Sequence, residues 1–265
     1  MGNKITAKDA ARSVGIPVLE TVPVQLNPLK ISELSLSFPV LIKAAHGGGG
    51  KGMQVVHSEV ELAEKLEKAS RSAAKYFGNG DVYVEPYLEN ARHIEVQILG
   101  DLHGNLVHLY ERDCTMQRNH QKIIEEAPAV ALSSELRERI LDAALRLGRS
   151  VGYVNAGTVE FLVTPTGAFY FLEMNPRVQV EHTVTEQVTG VDIVREQLRI
   201  AAGNALSFAQ IDVRLTGHAI QARVYTEAPQ HGFRPDTSPL LYTKMPESQA
   251  IRVETDLINS GSAAT

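Results

Sequence analysis

The sequence is poor in cysteine, tryptophan and basic charge, and it has no long apolar run. Its one cysteine, Cys114, cannot form an intrachain disulfide among the 265 residues, and no Cys/His spacing suited to zinc accompanies it. The expected setting is therefore a reducing compartment, the cytoplasm or, in a eukaryote, the mitochondrial matrix. Lys and Arg total 26 against 31 Asp and Glu, a net charge of -5, and no basic run or basic-aromatic interleaving marks a nucleic-acid face. A nucleic-acid partner is not expected. No stretch reaches the roughly 20 apolar residues of a membrane span or has the layout of a signal peptide, so a membrane partner is not expected either. Met1-Gly2-Asn3-Lys4-Ile5-Thr6 fits the short N-myristoylation pattern, but no polybasic second signal follows it.

What is present suits a globular α+β chain. Hydrophobic residues make up 43% of it, enough for a sizeable core, and a soft prior of about 150 residues per domain gives one or two domains. Residues 6 to 14 read as a short helix stopped by Gly15 and Pro17, and residues 39 to 45 as a buried strand. After a glycine cluster and a second strand (MQVVH), Ser58 and Glu61 suggest a capping box for a helix over about residues 59 to 76, with Val60, Leu62 and Leu66 as its apolar positions. VYVEPY, RHIEVQIL and LVHLYER then alternate as strands, and adjacent hairpins imply antiparallel pairing. A helix over about 134 to 150, the strands AGTVEFLV and AFYFLEM, a helix near 191 to 202, and the strands GHAIQARVY and IRVET complete the expectation.

Four groups of residues carry chemistry. Gly47-Gly48-Gly49-Gly50-Lys51-Gly52 lets the backbone approach an anion, though the strand after it fits neither a dinucleotide fingerprint nor a P-loop. By itself the cluster is equally compatible with a phosphate cradle and a surface loop. Lys43, on the preceding apolar strand, needs an anionic partner if it points inward. Glu160 and Glu173 form the strongest pair: if Val163 pairs with Ala168, both carboxylates fall diagonally on one face, which suits a hard cation such as Mg²⁺ unless a bulge separates them. Beyond Glu173 an extended chain would turn Arg177, Gln179 and Glu181 to one side, combining a forked cation, an amide and a base for a small oxyanion. A polar strand face with an internal salt bridge is the alternative reading of those three. His93, Glu95 and Gln97 share a face of RHIEVQIL, and residues 111 to 122 are dense in hydrogen-bonding groups; Cys114 reads as structural.

Taken together and in this order, KAAHGGGGKGM, EPYLENARHIEVQILGD, ERDCTMQRNHQKIIEEAP, AGTVEFL and FLEMNPRVQVEHTVTE resemble biotin carboxylase over nearly the whole chain. The resemblance implies an ATP-grasp fold, α+β, with a leading helix segment over residues 1 to 18, a small lid lobe over 19 to 87 and a larger antiparallel-sheet lobe over 88 to 265. It implies that ATP, bicarbonate and biotin give carboxybiotin, ADP and phosphate. Position by position, Lys4, Lys43, Gly49, Gly50, His93, Gln117 and His120 would hold the nucleotide, with Glu85, Pro86, Tyr87 and Leu88 as the adenine hinge. Glu160, Glu173 and Asn175 would hold Mg²⁺ or Mn²⁺. Lys122, Arg177, Gln179 and Val180 would hold bicarbonate, Glu181 would be the base, and Arg252 would stabilise the biotin enolate.

The resemblance further implies a biotin carboxyl carrier partner, a carboxyltransferase component and a homodimer for the full-length protein. It places a Rossmann-like domain before Met1 and more chain after Thr265, so the sequence reads as a fragment and Met1-Gly2 as an internal segment. His46, where a glycine is more usual, departs from the pattern. Two other readings remain: a carbamoyl-phosphate-synthetase-like ligase, and a fragment that binds nucleotide without turnover.

Overall fold

The computed structural model describes residues 4–24, 36–45, 53–240 and 242–255. Gly49, Gly50 and His46 lie outside the described residues. The chain divides into two compact units, Met1–Ala222 and Arg223–Thr265. In the second, the two-residue strands Glu227–Ala228 and Arg234–Pro235 pair antiparallel around a short 3-10 turn, Pro229–His231.

The first unit holds two antiparallel sheets. In the smaller, the strands run in the order β1 (Val22–Val24), β4 (Val82–Pro86), β2 (Val40–Ala44) and β3 (Gln54–Val56). Helix α2 (Glu59–Phe77) lays Leu62, Leu66, Ala69 and Ala73 against Ile42, Val56, Val82 and Val84 of that sheet. It ends at Gly78, whose left-handed backbone (φ 73) returns an N–H to the Ala74 carbonyl, a conformation that suits glycine. At the other end the expected capping box is not made. Ser58 is the N-cap, but its side chain makes no cap bond, and Val60, read as apolar face, is 93% exposed.

The larger sheet runs β10 (Ala219–Ala222), β7 (Gln121–Ala127), β6 (Leu106–Arg118), β5 (Arg92–Gly100), β8 (Asn155–Val163) and β9 (Phe169–Asn175). One face packs on α1 (Lys4–Ser13) and α3 (Ser134–Ser150), so that Ile94, Val96, Ile98, Val159, Phe161 and Phe171 meet Ala7, Ala11, Ile140, Ala144 and Leu147. Period-2 alternation sends His93, Glu95 and Gln97 to the opposite face, on which two helices pack: α4 (His182–Thr189) and α5 (Ile193–Ala201).

The structure adds two elements to the expectation and corrects two strands. Residues 111 to 122, expected to be dense in hydrogen-bonding groups, lie on the arms of a hairpin, β6 and β7, joined by Asn119 and His120 at φ 51 and 63, both left-handed as a two-residue primed turn requires. Residues 251 to 255 form no strand, and GHAIQARVY is strand only over Ala219–Ala222. Helix α4 had no helical signal, being rich in β-branched residues; Val184 and Val188, buried against Ala127, hold it by packing instead.

Candidate active site

Strand pairing lines up one polar residue from each of four strands. Arg112 of β6 stands opposite Glu95 of β5, Glu95 opposite Glu160 of β8, and Glu160 opposite Glu173 of β9. The last member owes its place to a bulge. Val163 pairs with Phe169 rather than Ala168, and Phe161 with Phe171; continued regularly, that register would set Glu173 on the face opposite Glu160. The register instead shifts between Phe161 and Glu160, leaving Leu172 as the extra residue, and Glu173 comes onto the face of Glu160. The expected diagonal pair is thus a direct cross-strand pair, joined by the bulge and not separated by it.

Adjacent carboxylates repel, so the row needs cations and amides around it. Lys122 of β7 supplies the first: its Nζ lies 2.7 Å from Glu181 Oε1 and 3.2 Å from Glu160 Oε1, and it also pairs with Glu95. Burial opposes its charge, but Glu95, Glu160 and Glu181 outweigh burial and raise its pKa. Lys4 pairs with Glu173 at 3.1 Å; burial would raise the Glu173 pKa, and Lys4 followed by Lys43 lowers it. Asn175 Nδ2 donates to Glu160 at 2.7 Å, and Gln179 Nε2 donates to the same oxygen at 3.0 Å.

His93 Nε2 sits 3.0 Å from Glu160 and 3.1 Å from Glu95 without an aligned hydrogen bond to either. Burial depresses its pKa, but Glu160 and Glu95 raise it to about 10, so the ring is a cation at neutral pH. His93, Glu95 and Glu160 each bring a ligand atom within 4.8 Å of the others, but an imidazole nitrogen is a softer donor than the oxygen ligands a hard cation takes. Glu160 and Glu173, two hard oxygen donors joined by Asn175 once its amide is turned, fit Mg²⁺ or Mn²⁺ better.

Beyond Asn175 the chain is not an extended strand. It turns at residues 180 and 181 into α4, with the His182 N–H donating to the Gln179 carbonyl at 3.1 Å. Gln179 and Glu181 are buried in the cluster and Val180 between them is exposed. Arg177 does not join them: it is exposed, and its Nη1 donates to the Val178 carbonyl. Glu181 is the N-cap of α4, where the helix dipole favours a negative charge.

On the smaller sheet, Lys43 has an anionic partner from its own chain, Glu85, which also takes Lys8 at 2.5 Å. Burial would raise the Glu85 pKa, and Lys43 and Lys8 lower it. Pro86 stands opposite Val40, and the Tyr87 N–H donates to the Pro39 carbonyl at 3.0 Å, with Leu88 half-buried beyond it. Gln117 Nε2 donates to the Cys114 carbonyl at 2.9 Å and lies 3.2 Å from His93 Nδ1; exposed His120 forms the turn after it. Arg252 belongs to the second unit, where its Nε donates to Glu254 at 2.6 Å.

Sequence reasoning named neither Glu95 nor Arg112 as a site residue. The signal for Glu95 was present, since His93, Glu95 and Gln97 alternate onto one face. Arg112 ended the expected strand LVHLYER, but nothing in the sequence showed that it lies opposite Glu95.

A small sheet backed by one helix, and a larger antiparallel sheet bearing lysines and a carboxylate row on one face, define an ATP-grasp protein. Residues 3–209 match the carbamoyl-phosphate synthase L chain ATP binding domain family, and the chain belongs to it, in its biotin carboxylase group. It is 46% identical over 257 residues to biotin carboxylase 2 of Bacillus subtilis, covering 96% of this chain and 58% of that protein. It is equally identical over 273 residues to the pyruvate carboxylase of that organism, covering 100% and 24%. The biotin carboxylase domain dimer of Hydrogenobacter thermophilus 2-oxoglutarate carboxylase, solved with MgADP, ADP and bicarbonate, superimposes with a TM-score of 0.93 at 41% identity, covering 100% of this chain and 59% of that one. The chain therefore spans between about a quarter and three fifths of the length of these relatives.

Proposed function

We propose that the chain is the ATP-using core of an enzyme that carboxylates biotin, held on a carrier protein, with bicarbonate, giving carboxybiotin, ADP and phosphate through carboxyphosphate. One observation carries the reading: Glu160 and Glu173, a donor pair for a nucleotide-bound cation, stand beside Lys122, Gln179 and Glu181, a cation, an amide and a base gathered in one largely buried cluster. The Hydrogenobacter relative, solved with both MgADP and bicarbonate, supports it.

In this reading Glu160, Glu173 and Asn175 hold Mg²⁺ or Mn²⁺, which neutralises charge on the phosphates when bound. Lys4, Lys43, Gly49, Gly50, His93, Gln117 and His120 hold the nucleotide, and Glu85 to Leu88 take the adenine. Pro86 has no N–H, but the amino group of adenine needs only its carbonyl. Lys122, Gln179 and the Val180 backbone bind bicarbonate, with Arg177 reaching it from the solvent side after leaving the Val178 carbonyl. Glu181 then takes the bicarbonate proton and the freed oxyanion attacks the γ-phosphorus, releasing ADP. Lys122, which bonds Glu181 in this structure, shifts to the anion as it binds and frees the base. Carboxyphosphate gives CO₂ and phosphate, the phosphate takes the biotin N1 proton, Arg252 stabilises the enolate, and N1 then attacks the CO₂ to give carboxybiotin. The carrier, a carboxyltransferase and a second copy of the chain are the proposed partners, in the cytoplasm or mitochondrial matrix.

The test is bicarbonate-dependent ADP release with and without free biotin, beside Glu181→Gln. Biotin-stimulated turnover that falls at least about a hundredfold in the variant is expected for a general base. Turnover indifferent to biotin points instead to a carbamoyl-phosphate-synthetase-like ligase, and nucleotide binding without turnover to a binding fragment.

A further inference from the structure

The largest fully buried side chain outside those roles is Arg112, at 0% exposure. Its guanidinium donates to five side chains on four segments. Nη1 reaches Gln97 Oε1 at 2.9 Å and Thr185 Oγ1 at 3.0 Å. Nη2 reaches Gln179 Oε1 at 3.0 Å, and Glu95 Oε2 and Thr158 Oγ1 at 3.2 Å each. Burying a guanidinium is costly unless it is paired and bonded in this way, and lysine could not match the planar fork.

The chemistry of that fork has a consequence for Gln179. A primary amide has an accepting end and a donating end, and in the open either can face a ligand. A guanidinium only donates, so only the oxygen end of a neighbouring amide can accept from it. Gln179 accordingly turns Oε1 to Arg112, and its Nε2 is left facing Glu160 and the bicarbonate cluster, 3.0 Å from the carboxylate. An amide with its donor outward recognises an anion, and a flipped amide would repel it.

We propose that Arg112 is a positioning residue that sets the polarity of the Gln179 amide, so that the site presents a hydrogen-bond donor to bicarbonate. Arg112 touches no substrate and acts through Gln179. The proposal rests on the bicarbonate reading of this cluster given above.

The experiment uses Arg112→Lys, Gln179→Ala and the double variant, with the Michaelis constants for bicarbonate and for ATP read separately. Each single change is expected to raise the bicarbonate KM about tenfold, one charge-assisted hydrogen bond. The ATP KM stays within about twofold. The double variant is expected to resemble either single one, because residues that act through one another are not additive. Effects that multiply, or an equal rise in both constants, overturn the proposal. Thr185→Val, similar in shape but unable to accept from Arg112, keeps the question open to test if Arg112→Lys does not fold. It is expected to raise the bicarbonate KM about threefold, and no rise overturns the proposal. The side-chain amide protons of Gln179, followed by NMR exchange, need no turnover. They are expected to exchange slowly in the unmodified protein and quickly in Arg112→Lys, and unchanged exchange overturns the proposal. Absence of bicarbonate-dependent turnover in the unmodified protein would sink the carboxylation reading alone, leaving the amide measurement to decide whether Arg112 sets Gln179.

Discussion

Glu160 and Glu173 face each other across neighbouring strands because β9 carries one residue more than its partner, Leu172. A regular ladder would put Glu173 among the aromatic residues of the opposite face, with Phe169 and Phe171. The bulge therefore converts what would be a buried, unpaired charge into half of a donor pair, and the repulsion between the two carboxylates is offset by Lys4 on one side and Lys122 on the other. A divalent cation offsets the same repulsion with one ion.

Glu173→Gln tests that division. It removes one charged donor while keeping the shape of the strand, so the Mg²⁺ concentration for half-maximal ATP turnover is expected to rise by at least about tenfold. Thermal stability should change little, since the lost pair with Lys4 is partly exposed and one carboxylate repulsion disappears with it. A Mg²⁺ titration that overlays the unmodified protein would remove Glu173 from the cation site.

Much of this was legible in the sequence, and the parts that were not have identifiable causes. Helix α3 could be bounded from its period alone, with Ser133 at its N-cap accepting from the Leu136 N–H. The face shared by His93, Glu95 and Gln97 followed from alternation. The Glu160–Glu173 register did not, because a bulge leaves no mark in a single sequence. The convergence of Arg177 with Gln179 and Glu181 failed because strand β9 ends at Asn175 and the chain bends at Arg177, leading into α4, a helix held by packing against β7 and not by propensity. Arg112 was invisible for a related reason: only pairing with β5 shows that it faces inward.

His93 makes stability pH-dependent with a definite sign. Its folded-state pKa, raised to about 10, lies above the unfolded value of 6.5. The stabilisation from its pairs with Glu160 and Glu95 is therefore fully present below pH 6.5 and lost as pH rises towards 10. Urea unfolding measured across that window should show the unmodified protein losing stability with rising pH, and His93→Gln should show a shallower loss. Equal slopes would mean that the ring is neutral in the fold.

Cys114 should be inert while the protein is folded. It is fully buried, and burial followed by the nearby Glu95 pushes its thiol pKa well above the usual range, so almost no thiolate is present or reachable. Alkylation by iodoacetamide at neutral pH is expected only at the rate of global unfolding, with full labelling in denaturant. Rapid labelling of native protein would place the sulfur in contact with solvent.

Lys122 carries the final prediction, because it holds Glu95, Glu160 and Glu181 together. Lys122→Met preserves much of the apolar stem but leaves three largely buried carboxylates without their shared cation. Breaking a buried pair on one side usually costs about 3–5 kcal/mol, most of it the penalty of the charge left behind. A cation that binds Glu160 from the opposite side would relieve part of that penalty. Mg²⁺ with a nucleotide is therefore expected to raise the melting temperature of the variant by more than it raises that of the unmodified protein, even though turnover is lost. If the metal stabilised both equally, the carboxylates released by the substitution would not be those that bind the cation, and the division of this row between lysine and metal would have to be redrawn.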